Sequence, residues 1–455
     1  MSADVVWSPT SSTAPSPISL IPFAHAPTYP RVSTAIMMTV SVWVSLAPSL
    51  LPRPAVTQAV FTAVSVLCGL GLLAASRTVR ARTCGTDHFT SLRVRQSAAG
   101  SAAVLCGAAI LAADRWQNGL RAAMGVDPVG IVHWVTVASV AALIVGSVVG
   151  LGAAARVYRV GPARSIAAAA AIAVAGYAAA TGVAPAALAS AAAPPLSAGV
   201  SGAPSSLVSW DTLGEQGRRF VALDSAGSPI RTYVGVDSAP DTRARAALAV
   251  RELDRAGGFD RGHVVVAVPT GSGWIDANAV AGFETVYGDD VALVATQYSS
   301  APSWVTFMLD RDAALDAATT LVTAVRSHLA TLDPAHRPEL HVYGQSLGAI
   351  GAGAAFDGLP APGPCDALWA GPPAGSVRPD GGTVLANSSD PVIRWQPSLL
   401  WSPPDLSRAR VDAPQPAWLP VVGFVQTSVD LLFALDAAPG HGHRYGPDQA
   451  RCVAP

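Results

Sequence analysis

The stretch Glu339-Leu-His-Val-Tyr-Gly-Gln-Ser-Leu-Gly348 constrains this chain more than any other. A short apolar run leads into Gly344-Gln345-Ser346-Leu347-Gly348, a match to G-x-S-x-G, and then into small residues suited to a helix. In a nucleophile elbow of this form the serine occupies a strained strand-to-helix turn that holds its hydroxyl clear of the backbone. Glycines flank it because a side chain there would strike the neighbouring strand or helix. Five letters in a chain rich in Gly and Ser are weak by themselves. Their weight comes from position.

After residue 206, apolar strand-like runs alternate with helical patterns, which implies a mostly parallel sheet covered on both faces. Strands are expected at 229–236, 263–268, 291–296, the run into the elbow, 366–370 and 383–387, with one more near 418–424. Helices are expected at 241–256, 276–286, 311–332, 347–356 and near 425–435. Within 311–332 the apolar residues Leu315, Ala318, Val322, Val325, Leu329 and Leu332 recur at helical spacing until Pro334 ends the pattern. This order reproduces an α/β-hydrolase core. There, the strand two before the elbow ends in the loop that supplies one oxyanion-hole N–H. Here that strand ends in Thr270-Gly271-Ser272-Gly273. The elbow falls where the topology requires it.

A serine hydroxyl needs a base to take its proton and an acid to orient that base. Of nine histidines only His441 and His443 follow Ser346, both within Gly440-His-Gly-His-Arg-Tyr445. Either could be the base. His441 fits slightly better, because a histidine followed by glycine suits a tight loop over the serine. A His-x-His pair also suits a metal ion, but no third ligand accompanies it, so neither metal nor cofactor is expected. Asp390, in Asn387-Ser-Ser-Asp-Pro391, follows the 383–387 strand, where the fold carries its acid; Asp380 and Asp405 are the alternatives. The Leu347 N–H and that of Thr270 or Gly271 would stabilise the oxyanion.

The first half is a different material. The chain is 51% hydrophobic and 13% charged, too apolar for an ordinary soluble protein. Residues 1–200 hold 12 Arg and 4 Asp, and residues 201–455 hold 17 Arg and 26 acids. A polar tail over 1–32, expected to be disordered, precedes apolar stretches at 33–51, 55–75, 98–113 and 130–155, and a weaker Ala-rich one at 165–188. About 20 residues at helical rise cross the hydrocarbon core, so 33–188 reads as a membrane domain of four to five helices. The spans carry almost no ionisable residue near their centres, which argues against a transporter. Arg77, Arg80, Arg82, Arg93 and Arg95 put the second-to-third connection in the cytoplasm, as Arg156, Arg159 and Arg164 do for the fourth-to-fifth. With five spans, everything after Leu188 is extracytoplasmic; if the fifth stretch does not cross, the C-terminal domain falls on the cytoplasmic side. Residues 189–206 read as a linker and 207–455 as the catalytic domain. Gly146 and Gly150 suggest close helix packing in the fourth span. Cys365 and Cys452, an even pair in an exported domain, suit a disulfide, with two separate buried thiols the equal alternative.

The stretches Pro269-Thr-Gly-Ser-Gly-Trp274, Gln297-Tyr-Ser-Ser-Ala-Pro-Ser-Trp304, Gly344-Gln-Ser-Leu-Gly348, Ser389-Asp-Pro-Val392 and Gly440-His-Gly-His-Arg-Tyr445 together resemble the actinobacterial membrane-anchored α/β-hydrolase family. Pro48-Ser-Leu-Leu-Pro-Arg53 resembles that family's N-terminal multi-span domain. The resemblance covers roughly residues 33–450 and implies a Ser-Asp-His site. It leads us to expect Glu where this chain has Gln345, a position expected to point away from the chemistry. The expected activity is hydrolysis of lipid or cell-envelope carboxylic esters by a multi-pass protein of the cell membrane. Trp395, Trp401 and Trp418 are candidates for an apolar wall. The partners are the bilayer and the ester, with no nucleic acid. The same site could instead transfer the acyl group to an alcohol, and a non-catalytic envelope scaffold is the third reading.

Overall fold

The computed structural model describes residues 29–83, 91–157, 196–225, 227–301, 306, 310–357, 362–363, 365–378 and 381–452. The N-terminal half is a bundle of α1 (Val32–Leu46), α2 (Ala55–Thr83), α3 (Leu92–Ala123) and α4 (Ile131–Val157). By length and apolarity α2, α3 and α4 can cross a membrane, while α1 is shorter. Their outer faces expose large apolar side chains such as Leu72, Val104, Leu111 and Leu143, as lipid-facing helices do. The first apolar stretch leaves the helix at Leu46 instead of Leu51, because Pro48, Pro52 and Pro54 turn the chain into α2. Close helix approach occurs at Gly69, where an added Cβ would lie 2.2 Å from Ser41 Oγ. It does not occur at Gly146 or Gly150, which have open space around them. Most of the expected tail, the weak fifth stretch Ser165–Leu188 and the first part of the linker lie outside the described residues.

The C-terminal half is an all-parallel sheet of β1 (Ile230–Val234), β2 (His263–Val268), β3 (Val291–Thr296), β4 (Glu339–Gln345), β5 (Ala367–Ala370) and β6 (Thr383–Leu385), in the order β1-β3-β2-β4-β5-β6. β2 and β3 read His-Val-Val-Val-Ala-Val and Val-Ala-Leu-Val-Ala-Thr without alternation because both faces are covered. The covering helices are α5 (Gly214–Val221), α6 (Thr242–Arg255), α7 (Ala277–Tyr287), α8 (Arg311–Leu329) and α9 (Leu347–Ala354). Asp241 caps α6 through Ala244 N–H, and Asp276 caps α7 through Asn278 N–H. Residues 197–206 are not a free linker. Val200 bridges to Arg231 of β1, and Ser201 and Ser206 hydrogen-bond the buried carboxylate of Glu252.

The strand expected near 418–424 is absent. Pro414, Pro416 and Pro420 remove ladder donors, and the segment runs as irregular chain into a helix that starts three residues early. After the short α10 (Pro391–Arg394), that helix is α11 (Val422–Leu431).

α11 docks on the bundle. Arg53, in the α1–α2 turn, donates from Nε and Nη2 to Asp430 Oδ1 at 3.0 and 2.8 Å, while Leu50 N–H donates to Oδ2 at 2.7 Å. Both side chains are almost wholly buried. Gln426 Nε2 donates to Val44 O at the end of α1. Leu50, Leu51, Leu120 and Met124 of the bundle pack with Ala413 and Ala437 around this contact. Burial pushes the Asp430 carboxyl up, and Arg53 with the Leu50 N–H pulls it back down. Such a pair specifies one docking geometry more than it stabilises. Arg53→Ala should therefore cost about 3–5 kcal/mol by stranding a buried carboxylate, whereas Arg53→Met with Asp430→Leu should recover most of it. Denaturant unfolding of the full chain in detergent micelles measures both.

Candidate active site

β4 ends at Gln345, and Ser346 takes φ 54° and ψ −123° before α9 begins. That region costs a non-glycine residue about 1–3 kcal/mol and persists only where its surroundings over-determine it. Here they do. An added Cβ at Gly344 would lie 2.4 Å from Gly348 O, and one at Gly348 would lie 2.3 Å from Val268 O. Strand, turn and helix are pressed together so closely that the serine has one backbone path. Ser346 N–H donates to Ala370 O at 3.0 Å, tying the elbow to β5.

The acid and base expected downstream are brought to this end of the sheet. Asp390 is fully buried at the start of α10. Its Oδ1 accepts from Val392 N–H at 2.8 Å, so the turn-forming role of an Asp-Pro pair is also fulfilled. Its Oδ2 lies 2.7 Å from His443 Nδ1 and accepts from the Tyr445 hydroxyl at 2.6 Å. Burial, followed by the nearby Asp390 charge, pushes the Tyr445 hydroxyl well above its ordinary range, so it stays a donor. The Cβ that Gly371 lacks would sit 2.8 Å from Asp390 Oδ2 and from two atoms of the His443 ring. Gly371 directly follows Ala370, the partner of Ser346 N–H, so serine and histidine converge on the same two residues of β5's end.

His441 is not the histidine on Asp390, although its glycine neighbour favoured it. The turn that returns Gly440 N–H to Arg444 O aims His441 at Asp412, 3.2 Å away. Asp412 also accepts from Ser388 Oγ at 3.1 Å and Ser389 N–H at 2.9 Å. Nothing in the sequence marks Asp412 among the downstream aspartates. Asp405 is solvent-exposed and caps Ser407 at 3.0 Å, and Asp380 lies outside the described residues.

The loop after β2 is held from three sides. Tyr298 donates to Pro269 O at 3.1 Å, Tyr233 to Gly273 O at 2.8 Å and Gln297 to Ser272 O at 3.0 Å. Thr270 N–H is spent on Trp274 O, which removes it from the two expected oxyanion donors. Leu347 opens α9, where an N–H has no partner within the helix. Trp304 of the matching motif lies outside the described residues.

The side chain of Gln345 reaches the backbone of the histidine loop. It is buried, and its Nε2 donates to His443 O at 3.1 Å. Its Oε1 meets the Tyr343 hydroxyl at 3.4 Å; that hydroxyl also donates to Gln449, which donates to Asp276. Strand alternation places this side chain opposite its neighbours, but only the fold reveals that the histidine loop passes there.

The tryptophans form no single wall. Trp395 bonds Ser428 Oγ and packs on Phe424, Trp418 bonds Leu399 O, and Trp401 is exposed. Cys365 and Cys452 are joined by a disulfide. At the N-terminal end of β2 and β4, away from the serine, His263, Glu339 and His341 bring three ligand atoms within 4.8 Å of one another and could hold a metal ion.

Gly371→Ala should force Asp390 and the His443 ring apart, destabilising the chain by about 1–3 kcal/mol as overpacking does. The measurements are the unfolding midpoint and the downfield proton resonance of His443 Nδ1–H, which should be lost or shifted.

A model described as the alpha/beta-hydrolase family matches residues 230–380 and 382–454, and one described as that family's N-terminus matches 46–193 and 186–223. No curated protein and no solved structure matches the chain significantly. The parallel sheet with its elbow after β4 and the two matches agree: the chain belongs to the alpha/beta-hydrolase family, is a hydrolase-type protein, and carries the family's N-terminal domain ahead of its α/β domain.

Proposed function

We propose that this protein is a membrane-anchored serine esterase acting outside the cytoplasm. The observation that carries the reading is the positive-φ Ser346 beside a buried Asp390–His443 pair. His443 takes the proton from Ser346 as its Oγ attacks the ester carbonyl carbon. Asp390 holds the imidazole with Nδ1–H toward itself, leaving Nε2 as the base. The Leu347 and Gly271 N–H groups receive the charge that develops on the carbonyl oxygen. Collapse expels the alcohol, which takes its proton from His443, and leaves the acyl group on Ser346. Water activated by the same histidine then releases the acid.

Sidedness is supported by the bundle's asymmetry. Arg77 donates to Thr34 at 2.9 Å, so the start of α1 and the Arg-rich end of α2 lie together, opposite the Arg53 turn on which the hydrolase domain docks. Arg93 and Arg95 begin α3 at that same end. Positive residues favour the cytoplasmic side, which puts the hydrolase domain across the membrane from them. The Cys365–Cys452 disulfide suits an oxidising compartment.

Ser346→Ala should abolish labelling by a fluorophosphonate probe, and both Ser346→Ala and His443→Ala should lower turnover on the order of 10⁶-fold, as losing either member does in such sites. His441→Ala should stay within about 10²-fold, the scale of an indirect misplacement. A folded wild-type chain that takes up no probe would refute the esterase reading, and retained activity in His443→Ala would refute the assignment of the base. Cleavage of the hydrolase domain by protease added to intact cells tests sidedness; protection there contradicts it.

A further inference from the structure

We propose that α11 is an interfacial helix whose free apolar face rests in the lipid of the outer leaflet, so that the ester reaches the site from that leaflet. The chemistry rests on the esterase reading; the lipid contact does not.

α11 presents three faces. Gln426 and Asp430, one turn apart, point at the α1–α2 turn. Phe424 and Ser428, also one turn apart, meet Trp395 of the hydrolase domain. Between them Val422, Val425, Val429 and Leu432 recur at i, i+3, i+7 and i+10; the valines are half-buried and Leu432 is 76% exposed. Every one is apolar. The single charge of the helix, Asp430, is already used by Arg53. An apolar stripe beside satisfied polar positions is what a helix lying in the plane of the interface requires.

The bundle says what covers it. Gln426 bonds the carbonyl of Val44, inside an apolar helix whose outer face exposes Ile36, Val40 and Trp43. α11 therefore sits at the depth of the last turn of α1. That helix has 15 residues, about 22 Å at helical rise, against a hydrocarbon core of about 30 Å. Where α1 stops short, α11 is next in line to face lipid. Beyond α11, Ala434 O accepts from His443 N–H at 3.3 Å, and the Cβ that Gly442 lacks would lie 2.9 Å from Leu51 of the bundle's turn. Seating α11 in lipid thus seats the His443 loop at the bilayer surface.

The test uses the full chain in phosphatidylcholine–phosphatidylglycerol nanodiscs, with Cys68, Cys84 and Cys106 replaced by Ser and an environment-sensitive fluorophore on Leu432→Cys. The control carries it on Val286→Cys, next to Tyr287, which stacks on His263 at the far end of the sheet. The Leu432 label should emit to the blue of the control and be quenched by spin-labelled lipid. Emission like the control's, or a shielded label that lipid does not quench because protein covers it, overturns the proposal. As a second readout, Leu432→Asp should keep fluorophosphonate labelling and short soluble-ester hydrolysis near wild type while losing about tenfold on a bilayer-borne ester, as weakened interfacial seating would. Equal loss on both esters counts against lipid delivery. Absence of labelling in every form would sink the esterase reading alone, since the quenching experiment needs no activity.

Discussion

One buried carboxylate joins the two halves of this molecule. Asp430 receives Arg53 and the Leu50 N–H where both side chains are almost wholly buried, so its carboxylate depends on these donors for its compensation. The α1–α2 turn has to follow one path for this, and its prolines hold it there. Everything that touches the turn is thereby fixed: the end of α1 through Gln426, the end of α3 through Leu120 and Met124, and the glycine between His441 and His443 through Leu51. The N-terminal bundle does more than precede the α/β domain. It forms one wall of the loop that carries the proposed base.

The other walls of that loop come from the sheet. Asn387 donates to Gly442 O, Ser389 accepts from Gly442 N–H, and Gln345 holds His443 O. His443 is thus anchored by residues adjacent to both other members of the proposed site, Ser346 and Asp390. Asp390 divides its oxygens, one capping α10 and one facing His443 and Tyr445. A loop of glycines and histidines would otherwise be mobile; here backbone bonds on several sides hold one ring orientation, which is the preorganisation that acid–base chemistry needs.

Much of this was legible in the residues. The unbroken apolar runs of β2 and β3, the helical ladder of α8 and the glycines around Ser346 each report a local constraint. The strand near 418–424 was misread because its apolar and aromatic residues satisfy a strand pattern as well as a helix pattern, and only the prolines spoke against it. The preference for His441 failed for a different reason. Two histidines two residues apart in a glycine-rich turn are equivalent locally, and their distinction depends on Asp412 and Asp390, which come from other segments. For Gln345, strand alternation gives a direction but not what lies there, which is the backbone of the histidine loop.

By itself the sequence determined the order of most elements, the apolar helical character of the first half and the elbow, and it narrowed the candidate acids and bases to a short list, because these follow from local sterics and from burial periodicity. Only the tertiary structure decided which histidine meets Asp390, that Thr270 N–H is already spent, that Cys365 and Cys452 pair, and that α11 replaces a strand to dock on the bundle. Those outcomes depend on contacts between segments up to 382 residues apart in the chain. Such distances are set by how whole layers pack, and no local pattern encodes them.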